Sequence, residues 1–589
     1  MAPLANEGRD VTVAEFAPAD AQSSTAKSAV GLRWLPEVIV LIAVGWLVVV
    51  PLGMIVYGSF RSGPPYVASP LSLDNYVRIF TSPSYRTAIF NTLVVGIAST
   101  LISMVGGTAL AWMTTRIRLP GLRFIRIAAG LPFFISSFLG AIAWAYLAAP
   151  RFGLLNHALQ AIWPGGPQIN IYSLGGMAWV HGLYDMPIAF LMMSGTMTAL
   201  DASIEESARV AGARPMRVFR TIVVPLLMPS FVSSALLCFI HSVESYAVPA
   251  VLGTPVGIDL LATRIALDLQ SSPPAYGPAS ASAMLLMIVA VIGMYGYYRA
   301  TRVQQRFVTV SGKGVALPAA ARGWPVALGV ALAWLYVVLA VVLPIGVVAI
   351  ASFQSYWGQP IFGFTPTLKN YISVFKLPNF EPALQNTLLL AIVGPTVTVF
   401  FGFVIAYLNL RRPSFLSRII DGIAIIPHAS PGLVIGLALL WTYLFMPNPI
   451  YGTVWILLLA LVTRFLPYAG RPIHAALLQL SPELEEASRV SGASPLRTFL
   501  FILMPLAAPA LISAWLLLYV VFIREISTVV LLITLGTNSL PVLLFNLFTD
   551  GWYTQGAALA IIQLLMMAIG WVVLSRFIRP AAGGQINVA

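Results

Sequence analysis

An all-α polytopic membrane protein of about twelve transmembrane helices, arranged as two parallel six-helix repeats, is the fold the sequence predicts. Three observations predict it. Only 9% of the 589 residues are charged while 59% are hydrophobic, and the mean hydropathy is +0.88. A typical soluble domain carries about 25% charged residues. Apolar runs long enough to cross a hydrocarbon core, roughly 20 residues each, recur along the chain. Short sequence elements also recur at fixed offsets between the two halves. So few charges cannot cover a water-exposed surface, which excludes a soluble enzyme, a nucleic-acid-binding domain and a disordered chain.

The elements follow in order. Residues 1–34 carry Glu7, Asp10, Glu15 and Asp20 without an apolar run. They read as a disordered cytoplasmic tail, because a signal peptide needs a basic start and an apolar core. Spans are expected at 36–58, 88–114, 124–148, 173–197, 219–250 and 281–299 in a first half, 35–300. A polar, basic cytoplasmic linker occupies 301–323. Spans at 325–352, 384–410, 417–445, 453–477, 499–534 and 556–577 fill a second half, 324–579, before a tail at 580–589.

Charge sets the orientation. With the N-terminus inside, 24 Lys and Arg residues fall in the tails and inside loops and seven outside, with Arg464 and Arg524 inside spans. That bias places both termini in the cytoplasm. It also makes the net charge of +13 a topology signal rather than a nucleic-acid footprint. An even number of spans per half points both halves the same way, a parallel repeat about the membrane normal.

The repeat is visible in detail. Asn75-Tyr76 matches Asn370-Tyr371, Asn91-Thr92-Leu93 matches Asn386-Thr387-Leu388, and Leu131-Pro132 matches Ile426-Pro427, all at an offset of 295. Pro187 matches Pro467 at 280, the difference absorbed by a longer outside loop near 150–172.

The sharpest repeat lies in two inside loops. One reads Glu205-Glu-Ser-Ala-Arg-Val-Ala-Gly212 and then Ile222-Val-Val-Pro225. The other reads Glu485-Glu-Ala-Ser-Arg-Val-Ser-Gly492 and then Ile502-Leu-Met-Pro505. Ser203 with Glu206 has capping-box spacing, and Ser481 is placed to cap with Pro482 at the first helical position. Gly212 and Gly492 permit the left-handed turn that ends a helix, and Pro215 and Pro495 restart one. A single copy is a well-capped loop helix. Two copies at matched spacing suggest two sockets for two copies of a soluble partner.

This pattern resembles the Glu-Ala-Ala signature loop of permease subunits of binding-protein-dependent ABC importers. Here the Glu-Ala-Ala positions read Glu206-Ser207-Ala208 and Glu486-Ala487-Ser488. The fused, two-half chain is also similar to the ferric-iron importer permease group, through Glu244-Ser-Tyr-Ala-Val-Pro249, Ser272-Pro-Pro-Ala-Tyr-Gly277 and Arg524-Glu-Ile-Ser-Thr-Val529. The resemblance implies a type I ABC importer permease fold in a bacterial inner membrane. It implies docking of two cytoplasmic ATP-binding subunits through Glu205, Glu206, Ala208, Gly212, Pro225, Glu485, Glu486, Ala487, Gly492 and Pro505. It implies an extracytoplasmic substrate-binding protein as a further partner. The substrate it suggests is ferric iron or another small solute: a polyamine, a phosphonate, thiamine or a phosphorylated small molecule.

No phosphate-binding loop occurs; the nearest string, Ser311-Gly-Lys-Gly314, lacks its leading glycine and its Ser/Thr. ATP hydrolysis is therefore expected on another polypeptide. No cofactor, metal site or catalytic cluster is expected, and the five histidines read as hydrogen-bonding residues. Ionisable groups inside apolar spans are costly and usually face an aqueous path or one another. Asp185, His241, Glu244, His428, Arg464, Arg524 and Glu525 are such groups. Under the 280 offset, Glu244 aligns with Arg524 and Ser245 with Glu525, so these four are expected along a translocation path. Structural pairing of Arg464 or Arg524 with Glu525 is the competing reading. An ion-driven secondary transporter also accounts for twelve spans in parallel repeats, but not for the duplicated loops. An embedded enzyme or assembly scaffold has no catalytic cluster to support it.

Overall fold

The computed structural model describes residues 34–116, 121–133, 135–199, 205, 207–208, 210–305, 323–359, 364–445 and 449–578. The N-terminal tail, most of the linker, the last residues of the chain, Ser203 and Glu206 lie outside the described residues. Among those described, every regular element is a helix, apart from one antiparallel bridge between Arg61 and Leu71. Nine of these helices are long and apolar enough to cross a membrane. They account for nine of the twelve expected spans, and the other three take different forms.

The span expected at 173–197 is one helix, Leu174–Ala199, in which Gly, His181 and Asp185 dilute the apolar character. The spans expected at 124–148 and 417–445 are not continuous. Leu131–Phe133 and Ile426–Ala429 tighten into 3-10 turns around Pro132 and Pro427, which cannot donate a backbone bond. In the first half a new helix then starts at Ser137, with the Oγ of Ser136 accepting from the Leu139 amide at 3.1 Å. In the second half the chain bends by 114° before helix Gly432–Phe445.

The spans expected at 219–250 and 499–534 are also shorter. Both helices stop at the equivalent residues Glu244 and Arg524, because Ser245 and Glu525 are extended (ψ 129° and 124°). Each of these helices opens into one π-helical turn, Phe219–Val223 and Phe499–Leu503, just before Pro225 and Pro505. A proline ring collides with the carbonyl four residues back, and widening the turn relieves the collision.

The repeated sequence elements prove to be repeated hydrogen bonds. Asn75 donates to the Ser59 and Arg61 carbonyls at 2.9 and 2.8 Å, and Asn370 to those of Ser352 and Gln354 at 2.9 and 2.7 Å. The neighbouring Tyr76 and Tyr371 hydroxyls bond the Ser59 and Ser352 hydroxyls. Thr92 Oγ1 accepts from the Leu261 amide and Thr387 Oγ1 from the Leu540 amide. Each set ties one end of a spanning helix to another segment of its own half.

The halves interlock. Helix Leu35–Ser59 of the first half packs along Phe415–Ile425 and Gly432–Phe445 of the second, and Leu343–Phe353 packs along Ser137–Ala148. At this seam Gly58 lies flat against Trp441, whose indole N–H donates to Ser280 Oγ at 2.6 Å. A methyl group on Gly58 would fall 2.5 Å from the indole. Gly58→Ala is therefore expected to destabilise the protein by about 1–3 kcal/mol, read as a lowered Tm in detergent.

Candidate functional site

The two duplicated loops have one geometry built twice. In the second half, helix Glu483–Val490 carries Glu483, Glu485 and Glu486 in its first turn and Arg489 in its last, as the helix dipole favours. Ser481 stands one residue farther out than expected, with Pro482 at the cap, yet its Oγ still accepts from the Glu483 amide at 3.3 Å. Gly492 is left-handed (φ 81°), and the Ala493 amide reaches back to the Ser488 carbonyl at 3.1 Å. In the first half, Glu205, Ser207, Ala208 and Val210 are helical and Gly212 is left-handed (φ 83°). The Ala213 amide reaches the Ala208 carbonyl at 3.0 Å. These six-to-one bonds around a left-handed glycine close both loop helices with the same C-cap.

What each loop shows to solvent is also matched. Val210 and Val490 are both 89% exposed, and Met216 and Leu496 beside them are exposed as well. The two loops thus present apolar side chains at equivalent positions in both halves. Glu205 and Glu485, by contrast, turn inward and pair with Arg116 and Arg411 at 2.7 and 2.8 Å.

The second constellation lies in the interior. Glu244, Ser245, Arg524 and Glu525 all line one cavity of about 820 Å³, together with Asp185, His241, Arg464, Ser136 and Gly432. A neighbouring cavity of about 1090 Å³ shares His241, Glu244, Arg464, Arg524 and Glu525. Its remaining wall includes Leu237, Ile240, Tyr468 and Leu518, on the loop-helix side of the charged residues. Ala247, Ile526 and Ser527 of the first cavity follow those residues in the chain. One charged level thus borders both cavities.

The charges at this level are held in specific geometry. Arg464 Nη2 donates to Glu244 Oε1 at 2.6 Å, joining the fourth helix of the second half to the fifth helix of the first. Its Nη1 donates to the Ser430 carbonyl, one of the groups freed by the break in the 417–445 segment. Backbone groups left open at membrane depth need such a partner. His241 Nδ1 and Asp185 Oδ1 lie 2.6 Å apart. Glu525 Oε1 accepts from the Thr528 amide and hydroxyl at 3.0 and 2.8 Å, holding the turn that follows Arg524. Of the arginines weighed from sequence as partners of Glu525, Arg464 or Arg524, Arg464 makes its 2.6 Å contact with Glu244.

The structure therefore brings the four expected pathway residues together, and adds Asp185, His241 and Arg464 to them. Ser136 and Gly432 were not anticipated at the cavity. The duplicated Leu131-Pro132 and Ile426-Pro427 pairs were the signal, since a proline repeated mid-span marks a break. Pro225 and Pro505 sit beyond the π-turns rather than in the loop helices.

A model of the family described as "Binding-protein-dependent transport system inner membrane component" matches residues 102–307 and again 398–579. The ferric transport system permease protein FbpB of Actinobacillus pleuropneumoniae is 29% identical over 549 residues, covering 91% of this chain and 77% of its own length. The Fe(3+)-transport system permease protein FbpB 2 of Haemophilus influenzae is 24% identical over 511 residues, covering 87% and 94%. A bacterial ABC transporter involved in the import of the acidic polysaccharide alginate aligns with a TM-score of 0.39 at 19% identity, over 48% of this chain and 99% of its own. With that family's unit matched in both halves, the chain belongs to the binding-protein-dependent transport system inner membrane components, the membrane-spanning permease subunits of such importers.

Proposed function

We propose that this permease forms the translocation pathway of an ATP-driven importer, and that its two cytoplasmic loop helices dock a pair of separate ATP-hydrolysing subunits. The observation that carries the reading is the duplicated loop: a short helix, a left-handed glycine and an almost fully exposed valine, in the same geometry in both halves. Two copies of one surface suit two copies of one partner. Closing of that partner on ATP would move the loops, and the halves would alternate between outward and inward openings around the charged level at Glu244, Ser245, Arg524 and Glu525. A binding protein on the outer face delivers the substrate. Ferric iron is the substrate we propose, supported by the full-length likeness to ferric transport permeases.

The test is ATP hydrolysis by the permease co-expressed with its ATP-binding subunit, with and without binding protein and ferric iron. Stimulation by the loaded binding protein is expected. The same measurement on Gly212→Pro with Gly492→Pro should lose it, because proline fixes φ near −65° where these positions need +83° and +81°. Association of the folded permease with no ATP-binding subunit would overturn the reading.

A further inference from the structure

We propose that Arg116 and Arg411 are positioning residues, which clamp each cytoplasmic loop helix to the long second helix of its own half and so carry the movement of the loop to the charged level. The proposal rests on the docking role given to the loops above.

The observation is one ion pair built twice. Arg116 is the last residue of helix Pro83–Arg116, and Arg411 is the last of Phe380–Arg411. Arg116 Nη2 stands 2.7 Å from Glu205 Oε1, and Arg411 Nε stands 2.8 Å from Glu485 Oε1. None of the four side chains is more than 16% exposed. The arginines differ by 295 in number and the glutamates by 280, the two offsets of the internal repeat. A basic residue ending a helix is favourable by itself. That accounts for an arginine at each position, but not for the same acid, on a separate element, facing it in both halves.

The surroundings show what the pair connects. Arg411 Nη2 also donates to the Leu480 carbonyl at 2.6 Å, in the chain leaving helix Val454–Leu478. Its guanidinium therefore joins the second helix, the exit of the fourth and the loop helix. The Arg116 guanidinium lies over the Trp112 ring at 5.8 Å. Glu485 sits in the first turn of its loop helix, and Gly492 follows that helix with a bend. At the far end of the loop helix, Ser488 Oγ and Thr498 Oγ1 lie 2.8 Å apart and tie it to helix Pro495–Thr498. The ion pair fixes its first turn to the second helix.

The second helix packs along the fourth in both halves, Pro83–Arg116 on Leu174–Ala199 and Phe380–Arg411 on Val454–Leu478. The fourth helices carry Asp185 and Arg464 to the cavity. A contiguous series of packed, rigid elements thus runs from the loop to the charged level, as physical coupling requires.

The experiment uses the complete complex in proteoliposomes, with ferric-loaded binding protein as the stimulus. Arg116→Gln with Arg411→Gln should still co-purify with the ATP-binding subunit. Its stimulated hydrolysis and uptake should fall by about tenfold, the size of a coupling term between contacting charges. Exchanging the charges in each pair, Arg116→Glu with Glu205→Arg and Arg411→Glu with Glu485→Arg, should recover a large part of the loss, and Arg→Lys at both positions a smaller part. Full stimulation in the Gln variant would overturn the proposal. So would a folded, assembled charge-exchange variant as inactive as the Gln variant, which would make the residues structural only. Failure of the wild-type chain to bind any ATP-binding subunit is a separate result and overturns the docking reading itself.

Discussion

Arg464→Met is expected to destabilise the protein by about 3–5 kcal/mol, the cost of leaving one member of a buried ion pair without the other. Arg464 and Glu244 are both buried, and their contact at 2.6 Å crosses between the halves. The substitution also strips the Ser430 carbonyl, at the break in the 417–445 segment, of its donor. Glu244→Gln added to Arg464→Met removes the stranded charge and should recover much of the loss, since a buried pair replaced by neutral groups is often close to neutral in stability. It should not recover the Ser430 bond, so a residual deficit of about 1 kcal/mol is expected. Cys238 is the chain's single cysteine and is fully buried, so reaction with a thiol-reactive dye reports unfolding directly. Equal dye-unfolding midpoints for Arg464→Met and the wild type would show that the pair does not hold the halves together.

How much of this was legible in the sequence depends on the range of the interaction. The spanning helices were readable because hydropathy is summed over many residues, each of which contributes independently. The loop geometry at Gly212 and Gly492 was readable because a helix stop is local chemistry: a glycine, a restarting proline and an early acid. The breaks near Ser136 and Ser430 were not read, although Pro132 and Pro427 announced them. An apolar run looks continuous to a sum even where one residue interrupts its hydrogen bonding. The π-turns before Pro225 and Pro505 were missed for a related reason, since a proline states that a helix is disturbed without stating how.

Partners across the fold were the least legible. Composition set Arg464 and Glu244 apart as costly charges, but their meeting depends on how the two halves dock. Nothing in the numbering places position 464 beside 244 rather than 525. Arg116 and Arg411 were counted only as topology signals, a role they share with every inside arginine. Their second role emerges only when the loop helix is folded back onto the helix ends.

Glu244→Gln combined with Glu525→Gln is expected to reduce uptake by about tenfold or more in a chain that still folds and still associates with an ATP-binding subunit, at a cost in stability because Arg464 loses its counter-charge. The substitutions isolate charge from shape. A glutamine in place of Glu525 would keep an acceptor for the Thr528 amide and hydroxyl, so the turn after Arg524 persists. A glutamine in place of Glu244 would keep an acceptor for Arg464 Nη2, although a neutral one. What disappears is negative charge at the level that borders both cavities. Hydrogen bonds to a carboxylate are roughly twice as strong as those to a neutral amide, and a difference of about 1.4 kcal/mol is tenfold in an equilibrium. A cation crossing that level would lose this stabilisation at both halves at once. The decisive measurement is ferric uptake into proteoliposomes beside dye-unfolding of Cys238 and co-purification of the ATP-binding subunit. Normal uptake would remove the two glutamates from the path and leave Glu244 with a structural role alone. Reduced uptake by a variant that remains folded at the assay temperature and still assembles, and the same direction of loss in Glu525→Gln alone, which leaves the Arg464–Glu244 pair intact, would place the barrier between the cavities at these carboxylates, because neither unfolding nor docking would then account for the loss.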